Sequence, residues 1–328
     1  MLKVFKSVSS ASSLGLLVLL SSSFISALHG AEYPIKTIQI INPFPAGAST
    51  DILARILTDK LSALLGQSVV VINKTGGGGA IGIKAVKDAL PDGHTVMIAP
   101  PPLVLIPIAR KAIGFSLTDF TAINLAGSSP YVMVVKKEAP WKSLEEVVTD
   151  AKKNPGKLIW AIPLTGSAGH FTYELFKIAT GTEITNVPMG GETPVATAIL
   201  GGNADMTFIS LATVQSHLEA GTLKALAFTH PKRLKEFPDV PTTAEKGYPT
   251  INTRPWFVFA VHAKTPRAIV NRLDQVFKET LKDKEVIAKI EKAGMLVENL
   301  GAEEAGKFLA EEHKKWSEVA RVAKITAQ

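Results

Sequence analysis

From Thr37 onward, short apolar runs alternate with segments whose apolar residues recur every three or four positions. Thr-Ile-Gln-Ile-Ile at 37–41 and Val-Val-Val-Ile at 69–72 predict strands, as does 95–99. Between them, Leu53, Ile56, Leu57, Leu61, Leu64 and Leu65 share one face of a helix predicted over 51–65, with Gly66 as its stop. A second helix is predicted over 80–90. Near-continuous apolar strands between helices predict a parallel sheet covered on both faces. A second series starts at 131–135. Ser143 and Glu146 have capping-box spacing and open a helix ending at 154–156. Strands at 158–162, between Gly181 and the next helix, at 205–209 and at 223–228 alternate with helices over 170–180, before Gly201 and up to Gly221. The tail predicts a strand at 256–261, a helix over 266–282 and two further helical stretches, the last over 303–324.

The predicted fold class is therefore α/β with two lobes. The expected division is residues 32–127 plus about 229–328 for the first lobe and 128–228 for the second. Two chain crossings leave a cleft suited to closure on a ligand.

The first thirty-one residues belong to neither lobe. Lys3 and Lys6 precede a short apolar run at 14–20 and small residues at 21–31, the layout of a secretory signal peptide. A periplasmic location is the expectation. The 328-residue chain has no cysteine, which excludes thiolate metal sites, disulfides and cysteine nucleophiles. Its net charge is +7, and the two leader lysines account for two of those charges. No Lys/Arg run exceeds two residues, so nucleic acid is not an expected partner.

The clearest candidate chemistry lies in two strand–loop–helix passages. Asn-Pro-Phe-Pro-Ala-Gly-Ala-Ser-Thr-Asp at 42–51 sits where a strand's carboxyl end meets a helix start, the place where open α/β sheets bind ligands. Small residues admit a ligand oxygen to the backbone, and the first helical amides can donate to an anion. Phe44, Ala46, Gly47, Ala48, Ser49 and Asp51 are candidates here, with Ser49 or Thr50 the expected N-cap. Three roles are open for Asp51: a dipole-favoured first-turn acid, an acceptor that orients the loop through amide bonds, or a receiver of a ligand ammonium or hydroxyl. Arg55 is spaced to pair with it. The passage 163–170 repeats the pattern and contributes Thr165, Gly166, Ser167, Ala168 and His170.

Gly76–Gly79 lacks both P-loop and dinucleotide spacing and predicts a turn at the cleft rim, with Gly78 as a candidate. Pro100–Pro102 either line the cleft, through Pro101, or end the strand. Thr165-x-Ser167-x-Gly169 is close to a nucleophile elbow, with His170 three residues on, but no third member can be placed. The remaining histidines show no metal-ligand spacing. No metal or cofactor is expected, and no catalytic residue.

The order of several short motifs resembles the Bug family, the extracytoplasmic receptors of tripartite tricarboxylate transporters. Pro45-Ala46-Gly47 followed by Asp51 resembles its Pro-x-Gly-Gly-x-x-Asp signature. Gly166-Ser167-Ala168-Gly169-His170, Val187-Pro188-x-Gly190-Gly191, Asp205-Met206 and Pro238–Thr242 continue the likeness. The resemblance implies a type II-like periplasmic binding protein with Venus-flytrap closure. It implies a carboxylate held mainly by backbone amides, a two-component membrane translocator as partner, and a monomer. It adds Gly190, Phe208 and Ser210 to the candidate site. Ligands in the family are di- and tricarboxylates, acidic amino acids and aromatic acids. Three departures stand out. Ala48 replaces a glycine and would be strained if that position needs positive φ. Met189 and Ile209 replace polar residues and would make the second-lobe wall more apolar, favouring a less polar ligand than citrate.

Two other functions fit the same residues. One is a secreted serine hydrolase using Ser167 and His170. The other is a ligand sensor for a membrane signalling protein.

Overall fold

The structure, a computed structural model, describes residues 33–110 and 112–325; the expected leader lies outside them. The first lobe is built on a six-stranded sheet of order β11-β4-β10-β3-β1-β2. Its strands are β1 Ile38–Asn42, β2 Val69–Asn73, β3 Thr95–Ala99, β4 Phe120–Ser128, β10 Trp256–His262 and β11 Leu296–Gly301. The second sheet, of order β7-β6-β8-β5-β9, comprises β5 Tyr131–Lys136, β6 Ile159–Ile162, β7 Thr185–Pro188, β8 Met206–Ser210 and β9 Leu223–Phe228.

Helices cover both faces of each sheet. In the first lobe, α1 Ser49–Leu65, α8 Arg267–Thr280 and α9 Lys284–Lys292 cover one face; α2 Ala80–Lys87, α3 Pro102–Ala109 and α10 Ala302–Val322 cover the other. In the second, α4 Leu144–Lys153 and α5 Ala168–Thr180 lie opposite α6 Glu192–Gly201 and α7 Leu211–Glu219. Helix α1 shows why the periodicity was readable. Leu53, Leu57, Leu61 and Leu65 fall on one buried stripe, each contributing roughly 2 kcal/mol by burial.

The sheets are mixed rather than parallel, which corrects the expectation. Strand β10 runs antiparallel to both β3 and β4, and β5 antiparallel to both β8 and β9. The crossovers explain this. The chain leaves the first sheet at Ser128 and re-enters at Trp256, which pairs with Ser128, so the returning strand must run the opposite way. The return also comes later than expected. Leu234, Phe237 and Val240 pack on one face of the second sheet and Ile251 and Tyr248 on the other, so 229–255 stays with the second lobe rather than the first.

Two adjacent connections form the hinge. Ser129 donates its N–H to Pro255 O at 2.9 Å, and Thr229 donates its N–H to Tyr131 O at 2.9 Å. Ser129 Oγ lies 2.9 Å from Ser210 Oγ and donates to Gly294 O at 3.2 Å. A further bridge joins the lobes: Phe171 of α5 packs edge-on against Trp316 of α10, with ring centroids 5.5 Å apart. Both residues belong to the apolar core on the α10 face of the first sheet.

Candidate functional site

Strands β1, β2 and β3 are parallel to one another, and Ala99 at the end of β3 pairs with Val258 near the hinge end of β10. Strands β6 and β7 are parallel to β8, whose last residue, Ser210, sits at the hinge. The carboxyl ends of all six strands therefore point toward the crossover. The loops after them face each other across the cleft.

In the first of these loops, Asn42 Oδ1 accepts the Phe44 N–H at 3.3 Å, and its Nδ2 donates to Phe44 O at 3.1 Å. A turn follows, in which Ala48 N–H reaches Pro45 O at 3.2 Å and Gly47 takes φ +80°. That is a type II turn, whose third residue needs positive φ. Gly47 then donates to Asp51 Oδ2 at 3.0 Å. The Asp51 carboxylate is buried and also receives Arg55 Nε at 2.9 Å, Arg55 Nη2 at 3.0 Å and Asn73 Nδ2 at 2.9 Å. Burial would raise its pKa, but the bonds from Arg55, Gly47 and Asn73 outweigh it and hold the carboxyl at about 2. Asp51 thus orients the loop and is itself screened from the cleft. Ala48, not Ser49 or Thr50, is the N-cap residue, with φ −68°, so alanine in place of glycine carries no strain there.

The second loop repeats the geometry. Ser167 N–H reaches Leu164 O at 3.1 Å, Gly166 takes φ +79°, and Gly166 N–H is accepted by the side chain four residues on, His170 Nδ1, at 3.1 Å. Ser167 caps α5 by accepting the His170 N–H at 3.3 Å. Its Oγ also takes the Leu164 N–H at 3.4 Å. The other ring nitrogen of His170 faces Glu174 Oε1 at 3.7 Å. Burial lowers the His170 pKa below the ordinary 6.5, against the opposing charge of Glu174. The imidazole is engaged by Gly166 and Glu174 and makes no hydrogen bond to Ser167 Oγ. Serine and histidine are therefore not a nucleophile–base pair.

Most of the hydrogen-bonding capacity left in these loops is main-chain. Among the described residues, the amides of Ala46, Ser49, Thr50 and Asp51 take no acceptor, and neither do those of Thr165, Ala168 and Gly169. The Thr50 hydroxyl is buried without a partner. Each group opens a helix, so donors and dipole act together on an anion.

Around these loops, Gly79 rather than Gly78 makes the contacts. A Cβ built at Gly79 would lie 3.8 Å from Phe44 Cζ and 3.7 Å from Pro102 Cβ, whereas one at Gly78 would meet nothing. The glycine run forms a single 3₁₀ turn, Gly77–Gly79. The prolines do more than end β3: Pro101 is buried and stands at the N-cap of α3. A Cβ at Gly166 would lie 3.6 Å from Ala109 Cβ, the other end of α3. Eight helical residues span roughly 12 Å, and this sets the scale of the gap between the first loop and the second.

Phe44, Ala46, Gly47, Ala48, Ser49, Pro101, Thr165, Gly166, Ser167, Ala168 and Gly190 thus lie in the loops and helix starts at these strand ends, and Asp51 and His170 are buried in the first turns of α1 and α5. Gly190 joins by donating to Pro163 O at 2.8 Å. Phe208 is not with them. Its ring is buried in the core, 5.7 Å from Trp160 and 6.1 Å from Phe176. Ser210 is buried at the hinge. Ile209 is buried in the core on the α6 side and so does not form cleft wall, while Met189 is half-buried and packs against that core.

Two polar residues escaped the sequence reading. Asn73 pairs in register with Asn42, and two strands ending in asparagine at one edge were the available signal. Glu192, two residues beyond Gly190, accepts Thr213 Oγ1 at 2.8 Å; nothing local marked it.

Residues 53–325 match the model of the TctC family, described as tripartite tricarboxylate transporter family receptor. The chain is 32% identical to BugT of Bordetella pertussis over 308 residues, covering 93% of this chain and 94% of the relative. Its fold is similar to periplasmic binding protein BugD, with a TM-score of 0.79, 27% identity and coverage of 90% and 100%. It is similar to an R. palustris protein solved with adipate, with a TM-score of 0.82, 30% identity and coverage of 90% and 100%. MatC from Rhodopseudomonas palustris, solved with bound malate, gives 0.77, 26% identity and coverage of 88% and 99%.

Proposed function

Because the chain belongs to the tripartite tricarboxylate transporter receptor family, and is a solute-binding receptor rather than an enzyme, we propose the following activity for it. It captures a small organic carboxylate between its lobes in the periplasm, after export by the leader at 1–31, and hands it as a monomer to a two-component membrane translocator. Relatives of similar fold were solved with adipate and with malate, which supports the ligand class. Among the described residues no helix is long and apolar enough to cross a membrane.

One observation carries the reading. Two type II turns with matching glycines, at helix starts on facing strand ends, leave their helical amides free. A hydrogen bond to a charged group contributes about 1.5–3 kcal/mol net. Three or four of them, with closure, reach micromolar affinity, which corresponds to about −8.2 kcal/mol.

The test is a thermal-shift screen of the mature protein against carboxylic acids. A ligand at 100 times its Kd stabilises by about 2.7 kcal/mol. A panel of mono-, di- and tricarboxylates that leaves the transition unmoved would sink the proposal. Ser167→Ala should weaken binding and leave the protein folded.

A further inference from the structure

Glu192 is the first residue of α6, on the strand-end side of the second lobe that faces the cleft. Its carboxylate does not project freely. Thr213 Oγ1, in the first turn of α7, donates to it at 2.8 Å, and the Ser210 main chain at the end of β8 lies beside it. The ends of β7 and β8 therefore converge on one acidic side chain. Among the described residues no lysine, arginine or histidine lies within ion-pair reach of it. Burial pushes the Glu192 carboxyl up, while the Thr213 bond and the Ser210 main chain favour its ionised form. Buried Tyr131, on the neighbouring β5 and paired with Ser210, has its phenol pushed up by burial and then by the Glu192 charge.

The consequence is one of occupancy. The starts of α6 and α7, the Thr213 hydroxyl and the Ser210 main chain are the donors this wall would offer to a second carboxylate of a ligand. Glu192 takes the Thr213 hydroxyl internally and sets a carboxylate there with no cation beside it. A ligand anion brought there would meet a like charge. A cation would find an acceptor that lacks only a counter-ion. The first loop has the opposite character: its acid is neutralised by Arg55 and its free groups are amide donors.

We propose that the ligand is a monocarboxylate with an ammonium group at its other end, its carboxylate on the amides of the two type II loops and its ammonium on Glu192. This rests on the carboxylate-cleft reading above and narrows it. Glu192 then acts as the residue that separates amino acids from dicarboxylates.

Isothermal titration of the mature protein at neutral pH tests this with pairs differing at one end only: ε-aminocaproate against adipate, and γ-aminobutyrate against succinate. In at least one pair the amino acid should bind about tenfold tighter or better. Glu192→Gln should bring that ratio near one or invert it, with an unchanged melting transition. Thr213→Val, which keeps the charge and removes a donor, should preserve the preference; it stands in if the glutamine variant does not fold. Dicarboxylates binding as tightly as their amino partners, or a ratio unmoved by Glu192→Gln, would overturn the Glu192 assignment and leave the receptor reading intact. Failure of every carboxylate, in both pairs and in the screen above, would overturn both.

Discussion

In the first lobe the Gly47 amide is held by a carboxylate, and in the second the Gly166 amide is held by an imidazole, although the two turns share φ values of +80° and +79°. Both acceptors come from the residue four positions on, one turn into the following helix, and both leave the next amides unpaired. The difference lies in how each acceptor is kept in its proton-accepting form. Asp51 is fixed as an anion by Arg55 and Asn73 and needs a counter-charge so that it does not repel the ligand. His170 is neutral because it is buried, so it adds no charge to the cleft but depends on pH. The same backbone device is therefore robust in one lobe and titratable in the other.

The most severe way to break the pairing is Asp51→Ala. It leaves the Gly47 amide, Arg55 and Asn73 without their acceptor and should lower stability by about 2–3 kcal/mol in urea unfolding. A loss below about 1 kcal/mol would mean that water replaces the carboxylate without cost. His170→Ala removes one neutral acceptor and some packing, and should cost about 1–2 kcal/mol while weakening ligand binding. The glycines sharpen the likeness. Gly47→Ala and Gly166→Ala should each cost about 1 kcal/mol, because both force alanine to positive φ while neither added Cβ meets a close neighbour. Unequal losses would show that one turn relaxes.

The pH arms give the smallest effects. Asp51 has a folded pKa of about 2 against an ordinary 3.8, so its contribution is whole above about 4 and is lost as pH falls through 2. The His170 pKa lies below the ordinary 6.5, so the contribution of its neutral ring is whole above that value and is lost as pH falls below it, through the folded pKa. Protonation also removes the Nδ1 acceptor. Affinity for a strong carboxylic acid should fall a few-fold as pH is lowered from neutral through the folded pKa of His170. His170→Asn, whose carboxamide does not titrate in this range, should flatten that fall; an equal fall in the variant would remove His170 as the cause.

Much of this site was written locally. The Asp51–Arg55 spacing, the Ser167 cap and both glycine turns depend on partners within four residues, and such contacts survive translation from string to structure. Strands β4 and β11 and helix α3 were not legible. The β4 run Phe-Thr-Ala-Ile-Asn-Leu-Ala-Gly-Ser has a polar asparagine and a glycine inside, yet it lies buried between β10 and β11. Phe208 and Ile209 illustrate a different limit. Both are apolar neighbours on a strand covered on both faces, so nothing in the order of residues tells which core each one enters.

The periodic placement of apolar residues was enough to specify two α/β lobes and the two strand–loop–helix turns, because helix faces, caps and tight turns are satisfied by residues close in the chain. Strand direction, the late return at Trp256, the facing of the two loops and the meeting of Glu192 with Thr213 were decided only by tertiary structure. Each depends on which distant backbone edge completes a sheet, and that choice is made by hydrogen bonds and burial shared across the whole molecule.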